Sequence, residues 1–332
     1  MKSLGIIIIF GIITSNLEAQ NIHTLMAENE NYIDSLSSII GDIKLNVDTI
    51  DKNHYMISGE GVAGNIGLFV GVNGVYMMDN QWSALSTRIK EIVASITAKP
   101  IKLIINSHFH FDHTNGNMSF GKEGIPIIAH TNARARMKQR QVIHGHMSQV
   151  QNPYPPEGLP TLTFSDNVEL YDGDETIELK YFKNAHTDGD IVVYFKNANI
   201  YYMADLFVTY GLPVIDPDGG GDIYEFIETL DFIISNSNDQ SVFIPGHGPV
   251  SHKTDIVLFR DLLSSVKEFV LDSYNKGKDL DQIIAEAKES VVKEVGGIDK
   301  SRFITLVYGM VTNHENQNLK QDQHTITINK RH

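Results

Sequence analysis

Four side chains that can bind a metal ion lie within six residues, His108 to His113, which read His-Phe-His-Phe-Asp-His. This segment follows Pro100 and an apolar run over 101–105 that is typical of a strand. In an extended chain alternate side chains point the same way, so we expect His108 and His110 to share a face. Imidazole and carboxylate in this mixture suit zinc or a similar divalent ion. The sequence therefore predicts a metal site at the end of this strand, with a solvated polar loop as the alternative.

Three further metal-capable residues follow apolar runs later in the chain. His186 comes after a strand predicted over 175–182, Asp205 ends another apolar run, and His247 stands between two glycines. Glycines on both sides let the backbone turn sharply, so that the imidazole can project. Loops at the same edge of a sheet system can bring their side chains to one point. We therefore expect these three residues to join the first cluster.

In order and spacing, these motifs resemble the metallo-β-lactamase superfamily of dinuclear metal hydrolases. The likeness covers roughly residues 60 to 250 and rests on four motifs, at 108–113, 185–190, 204–205 and 246–248. It implies an α/β fold, the αβ/βα four-layer sandwich, in which two mixed sheets pack face to face with helices outside.

The resemblance also implies two Zn²⁺ ions per chain, with manganese or iron as alternatives. Aspartate at position 205, where many antibiotic-hydrolysing members carry Cys or Ser, matches the broader hydrolases similar to glyoxalase II. The implied ligands are His108, His110 and His186 on one ion, Asp112, His113 and His247 on the other, and Asp205 as the bridge between them.

The chemistry implied by the resemblance is hydrolysis of a small molecule. A hydroxide that bridges the two ions attacks a carbonyl, and Asp112 is the catalytic side chain that holds the hydroxide and shuttles its proton. We expect a cyclic amide of the β-lactam type, with lactone, ester or thioester hydrolysis and a non-catalytic binding role as alternatives. No Lys or Arg occurs between Lys196 and Lys253, where several lactamases carry a lysine for the substrate carboxylate. Here that role would fall to Thr209, Tyr210 or a residue from elsewhere in the chain.

Three aspartates are candidates for fixing the histidine tautomers. They are Asp79, Asp188 and Asp190. A carboxylate that accepts the second ring N–H of a ligand histidine orients its ring. The alternative for each is a turn aspartate that bonds its own backbone.

Composition narrows the class of protein. The chain has 332 residues, of which 42% are hydrophobic and 20% charged, as expected of a globular protein. Its net charge of -14 argues against nucleic acid as a partner, because phosphate binding needs clustered Lys and Arg. The absence of cysteine excludes disulfides, thiolate ligands and a cysteine nucleophile. The sequence leaves the oligomeric state open.

The first residues have the pattern of a signal peptide. Lys2 precedes an apolar run from Leu4 to Ile13, and a small residue, Ala19, ends the polar stretch that follows. The apolar run is too short to span a bilayer comfortably, so we predict a signal peptide over 1–19. An uncleaved anchor is the alternative. We expect a secreted or periplasmic protein without a stable membrane anchor after cleavage.

The remaining patterns divide the chain after this leader. We predict a catalytic domain over 20–250, because no linker rich in Gly or Ser interrupts it. Four prolines in 144–162 predict an irregular segment that could form a rim or lid over the site. Helical spacing of apolar residues predicts a C-terminal helical extension over 251–314. The polar composition of 315–332 predicts a disordered tail.

Overall fold

A computed structural model describes residues 40–41, 43–59, 63–144 and 148–329. The predicted signal peptide lies outside the described residues. Within these ranges, no helix combines the length and the apolar character needed to cross a lipid bilayer.

Fifteen strands of the described chain form two mixed sheets and one small hairpin. The first sheet has seven strands and the second has six. The strands are β1 (Leu45–Thr49), β2 (His54–Gly59), β3 (Ile66–Val70), β4 (Val75–Met78), β5 (Ile101–Ile105), β6 (Ile127–His130), β7 (Gln141–His144), β8 (Ser148–Gln151), β9 (Leu162–Phe164), β10 (Asn167–Asp172), β11 (Glu175–Phe182), β12 (Asp190–Phe195), β13 (Ile200–Val208), β14 (Val242–His247) and β15 (Ser251–His252).

Each sheet combines antiparallel hairpins with parallel strands. The first has the order β1-β2-β3-β4-β5-β6-β9, and its strands from β4 onward pair in parallel. The second has the order β10-β11-β12-β13-β14-β15, in which β13 and β14 pair in parallel. The predicted hairpin turn at Asn73-Gly74 joins β3 and β4, as a two-residue turn of this type requires.

Helices cover the outer face of both sheets. One apolar cluster lies between the sheets and two lie between a sheet and its helices, so the predicted αβ/βα four-layer sandwich with C-terminal helices is confirmed. The helices are α1 (Ser86–Ile96), α2 (Phe111–Thr114), α3 (Asn117–Lys122), α4 (Thr131–Met137), α5 (Ile223–Asn236), α6 (Lys253–Asn275), α7 (Leu280–Glu289) and α8 (Lys300–Asn329).

Two segments differ from the sequence predictions. The proline-rich segment carries strand β8, a short 3₁₀ turn at Pro156–Gly158 and strand β9. Strands of three or four residues are too short to give a periodic signal. Helix α8 continues to Asn329, through most of the tail predicted as disordered. Its first turns pack Phe303 and Val307 into the core, and a helix that is already nucleated extends at little cost.

Candidate metal centre

The site lies where strands of both sheets end. Parallel strands β4 and β5 end at Met78 and Ile105, and the chain then turns into the His108–His113 segment. In the second sheet, Asp205 and His247 come from the parallel pair β13 and β14. Because the carboxyl ends of parallel strands share an edge, the fold delivers these side chains to one place.

The backbone is bent where it presents Asp205. The register between β13 and β14 shifts on both sides of Ala204, and Ala204 has a φ of 45°. A non-glycine residue in this region is strained, and such strain is typical of functional sites. Gly246 on the neighbouring strand leaves room for the carboxylate, since a Cβ there would overlap Asp205 Oδ1.

All seven predicted ligands come together in two clusters that share one residue. In each cluster the candidate ligand atoms lie within 4.8 Å of one another. The shared residue is Asp205, whose Oδ1 lies 3.0 Å from His113 Nε2 and whose Oδ2 lies 3.5 Å from His186 Nε2. The first cluster is His108, His110, His186 and Asp205, and the second is Asp112, His113, Asp205 and His247.

Atoms facing the middle of the clusters have no protein partner that satisfies them. His108 Nε2 is buried without a hydrogen-bond partner among the described residues, and His113 Nε2 and Asp205 Oδ1 lie 3.0 Å apart without the geometry of a hydrogen bond. Each such atom costs about 1–3 kcal/mol if nothing else binds it. His110 Nδ1 also faces His186 Nε2 at 3.0 Å. Divalent cations would satisfy all of these atoms, so the donor set fits a metal centre.

Asp79 holds the second cluster from behind. Its Oδ2 lies 2.8 Å from His113 Nδ1, which leaves Nε2 of that ring for the cluster. The carboxylate is fully buried and also accepts hydrogen bonds from Ser107 and from the Tyr202 hydroxyl. Four donors on one buried carboxylate hold it in a single orientation. Asp79 therefore fixes the tautomer of His113. It is one of the three aspartates that the sequence analysis named as candidates for this role.

The other two aspartates have different partners. Asp190 accepts from the backbone N–H groups of His186 and Thr187 at 2.7 and 2.8 Å, so it shapes the turn that carries His186. Asp188 pairs with Arg136 at 2.7 Å. Asp190 thus supports the loop around His186 through its backbone and Asp188 through a side-chain ion pair, and among the described residues neither carboxylate contacts the ring of a ligand histidine.

The rings of the first cluster are oriented by groups that the sequence analysis missed. Asp216 Oδ2 lies 3.0 Å from His110 Nε2. Ser107 Oγ lies 2.9 Å from His108 Nδ1, and the Val214 carbonyl lies 2.8 Å from His186 Nδ1. Asp216 stands 106 residues after His110 in a loop rich in glycine and proline. The only hint of this contact in the sequence was that Asp216 lies in the loop between Asp205 and the next helix.

Burial keeps the first cluster in the state that binds a metal. Removal from water lowers the pKa of the His186 imidazole to about 4. Burial, and next the nearby charge of His113, hold the pKa of His108 well below its usual value. Both rings are therefore neutral at physiological pH and offer lone pairs to a cation.

The second cluster is polarised by opposite charges. Burial alone would raise the pKa of Asp205, but the charges of His113 and His247 outweigh it and leave that pKa well below its usual value. Burial alone would lower the pKa of His113, and the charges of Asp205 and Asp112 raise it well above normal instead. Protons therefore compete with a cation for this cluster. A metal ion must displace them to bind.

The second cluster is also the open side of the centre. The side chains of Asp112 and His247 are each 17% exposed, whereas those of the first-cluster histidines are almost fully buried. The ring of Tyr210 lies beside this opening, 5.9 Å from that of His247. A substrate from solvent would meet Asp112, His247 and Tyr210 first.

The comparisons with known proteins agree with this geometry. Residues 61–252 match the model of the family described as "Metallo-beta-lactamase superfamily". The chain is 27% identical over 219 residues to 2,4-dinitroanisole O-demethylase subunit alpha of Nocardioides sp., a match that covers 64% of this chain and 60% of that protein. It is 24% identical over 202 residues to a "Probable metallo-hydrolase" of Methanocaldococcus jannaschii, with coverage of 59% and 93%.

Solved structures share the fold at low sequence identity. The sec-alkylsulfatase Pisa1 of Pseudomonas sp. superposes with a TM-score of 0.61 at 17% identity, over 80% of this chain and 50% of that one. The DIM-1 metallo-beta-lactamase superposes with a TM-score of 0.56 at 17% identity, over 68% of this chain and 99% of that one. The chain thus spans about half of the alkylsulfatase and 60% of the demethylase subunit.

Proposed function

Because the chain belongs to the metallo-beta-lactamase superfamily and is a metal-dependent hydrolase, we propose that it is a dinuclear zinc enzyme that cleaves a carbonyl substrate. One observation carries this proposal. Two clusters of imidazole and carboxylate ligands share Asp205, and the buried ring nitrogens His108 Nε2 and His113 Nε2 make no hydrogen bond within the described part of the chain. A mixture of neutral imidazoles and two carboxylates suits zinc, with manganese or iron as alternatives.

The two clusters would hold one ion each, with Asp205 in contact with both. Zinc bound there would acidify a water and polarise the substrate oxygen. Asp205 and Asp112 place two negative charges among the neutral rings, which offsets the repulsion between two cations. Asp79 and Asp216 hold the rings of His113 and His110 in fixed tautomers, so the site needs little reorganisation.

Asp112 has the position and charge of the proton carrier. Burial by itself would raise the pKa of Asp112, but the charges of His113 and His247 outweigh it and keep that pKa below normal. Its Oδ2 lies 3.2 Å from His247 Nε2, at the open side. The carboxylate can orient the attacking water, accept its proton and deliver that proton to the leaving group.

The first substrate class that we propose is a cyclic amide of the β-lactam type, in line with the fold shared with metallo-beta-lactamases. A second class, lactones and other esters, is favoured by a specific observation. The span 197–252 holds Asp205 and His247 but has no Lys or Arg to bind a substrate carboxylate. Uncharged lactones and esters need no such partner.

We also propose that the protein is exported. The charged Lys2, the short apolar run and the small residue at position 19 support this proposal. N-terminal sequencing of protein recovered from the native host should find a chain that begins near Gln20. Recovery of cytosolic protein that begins at Met1 would refute export without affecting the proposed chemistry.

A panel assay tests the function. Zinc-loaded protein is compared with chelated protein on nitrocefin, a carbapenem, lactones and p-nitrophenyl esters, with 2,4-dinitroanisole and a secondary alkyl sulfate included because relatives are named for those substrates. We expect metal-dependent turnover of at least one carbonyl substrate. Asp112→Asn should lose turnover and bind the second ion more weakly, because Asp112 is both the proposed proton carrier and a ligand of the second cluster. Cleavage confined to the ether or the sulfate would contradict the carbonyl assignment.

A further inference from the structure

The segment 209–215 connects the metal centre to the C-terminal extension. At one end, Tyr210 lies with its ring 5.9 Å from that of His247. Further along, the Val214 carbonyl accepts from His186 Nδ1 at 2.8 Å. One short segment therefore contacts a histidine of each cluster, and its position affects both halves of the centre.

Tyr210 is half-buried at the open side of the centre, with its ring 5.9 Å from that of the candidate ligand His247. Burial raises the pKa of Tyr210 well above its usual value, and the charges of Asp205 and Asp112 raise it further, while a hydrogen bond from the Val214 backbone opposes them. Tyrosine offers a neutral hydroxyl near physiological pH. A neutral hydroxyl can donate a hydrogen bond to an oxygen that gains negative charge.

Residues 296–298, between α7 and α8, hold this segment by direct backbone pairing. Leu212 N donates to the Gly296 carbonyl at 2.9 Å, and Ile298 N donates to the Leu212 carbonyl at 3.1 Å. The two strands of chain form a parallel bridge between Leu212 and Gly297. This anchor lies beyond the family match, which ends at residue 252.

Glycines make the close approach possible. A Cβ on Gly296 would lie 2.7 Å from the Tyr210 carbonyl oxygen, and a Cβ on Gly211 would lie 2.5 Å from the Gly296 carbonyl oxygen. Real Cβ atoms do not approach backbone oxygens so closely, so a side chain at Gly296 must push the two segments apart. The buried side chains of Leu212 and Ile298 pack in the same apolar cluster and secure the contact.

We propose that the C-terminal extension completes the active site: residues 296–298 position Tyr210, whose hydroxyl donates a hydrogen bond to the substrate oxygen on which negative charge develops. Tyr210 is then a catalytic residue, and Gly296 is a positioning residue that acts through it. The catalytic half of this inference rests on the proposed hydrolase function. The positioning half rests on the backbone pairing alone.

Three variants of the full-length chain test the inference, with Gly309→Ala as the matched control. A Cβ on Gly309, in helix α8, would have no atom of the described residues within 4 Å. The test variants are Tyr210→Phe, Gly296→Ala and the double variant. Hydrogen exchange of segment 209–215, metal content and kinetics on a substrate cleaved by the wild type are measured for each.

For the positioning half, Gly296→Ala should speed amide exchange in 209–215 about tenfold, because local opening controls that exchange. Gly309→Ala should leave it unchanged. Unchanged exchange in Gly296→Ala would overturn the positioning role. This readout does not require turnover, so it decides that role even if no substrate is cleaved and the proposed function fails.

For the catalytic half, Tyr210→Phe should keep the wild-type metal content and lower kcat about 100-fold with little change in KM, as loss of one such donor does. The double variant should be no slower than Tyr210→Phe, because Gly296 acts through the hydroxyl. A kcat within twofold of wild type in Tyr210→Phe would overturn the catalytic role. Additive losses in the double variant would overturn the link between Gly296 and Tyr210.

Discussion

Replacement of Asp216 by Asn probes the support of the first cluster with the loss of one charge and almost no change in shape. The carboxylate is buried and accepts two N–H groups, from His110 Nε2 at 3.0 Å and from the Gly219 backbone at 2.9 Å. An amide has one acceptor oxygen, so one of the two donors must face an NH₂ group. If His110 faces it, the ring adopts the other tautomer and Nδ1 no longer offers a lone pair to the cluster.

The structure sets the size of the effect. Loss of the partner that orients a ligand histidine weakens metal binding about 10- to 100-fold, or about 1.4–2.7 kcal/mol. In Asp216→Asn, competition with a chromophoric chelator should show this loss of zinc affinity for one of the two ions, the one held by the first cluster. Turnover at saturating zinc should recover most of its wild-type value, because the ligand itself is still present.

The control is Asp218→Asn, which removes the same charge from an exposed position of the same loop. It should leave both zinc affinities within twofold of wild type. Equal loss in both variants would mean that the charge of the loop, and not the contact with His110, supports the cluster. Unchanged affinity in Asp216→Asn would refute the tautomer argument.

Three other predictions concern the metal ligands. Asp205→Ala should lower metal occupancy of the second cluster and cut turnover at least ~100-fold. Asp205→Cys should still bind two metal ions but with a different preference among metals, which elemental analysis can show. On acidification the second cluster should empty first, because the pKa of His113 is raised and that of His186 lies at about 4; release of both ions in one step would contradict this. Gly246→Ala should reduce bound metal, because the added Cβ displaces Asp205.

The ligands could be predicted from the sequence because each lies close to the end of an apolar run. His108, His186 and His247 stand at or beyond strand ends that share one edge, and Asp205 lies within β13, near its end at Val208, so local patterns indicated where they would meet. Asp79 also follows a strand, which is why its contact with His113 could be anticipated.

The supporting contacts could not be predicted, because they depend on loops that are distant in sequence. An aspartate in a loop rich in Gly and Pro, such as Asp216, is typical of a turn. Its contact with His110 depends on the path of the whole loop. The pairing of Leu212 with 296–298 joins segments more than 80 residues apart without a shared pattern. The same limit explains Asp190, whose position after His186 fitted both a ring contact and the backbone turn that the structure shows.

The number of metal ions in active protein tests the central claim most directly. Full-length chain is purified, assayed on a substrate from the panel and analysed for metal content, then stripped with a chelator and reloaded with zinc. The two clusters that share Asp205 predict two ions per chain. Turnover should be lost with the chelator and recover when zinc is added back. His186→Ala should lose the first ion and His247→Ala the second. Full turnover by protein that holds no more than trace metal would contradict the account.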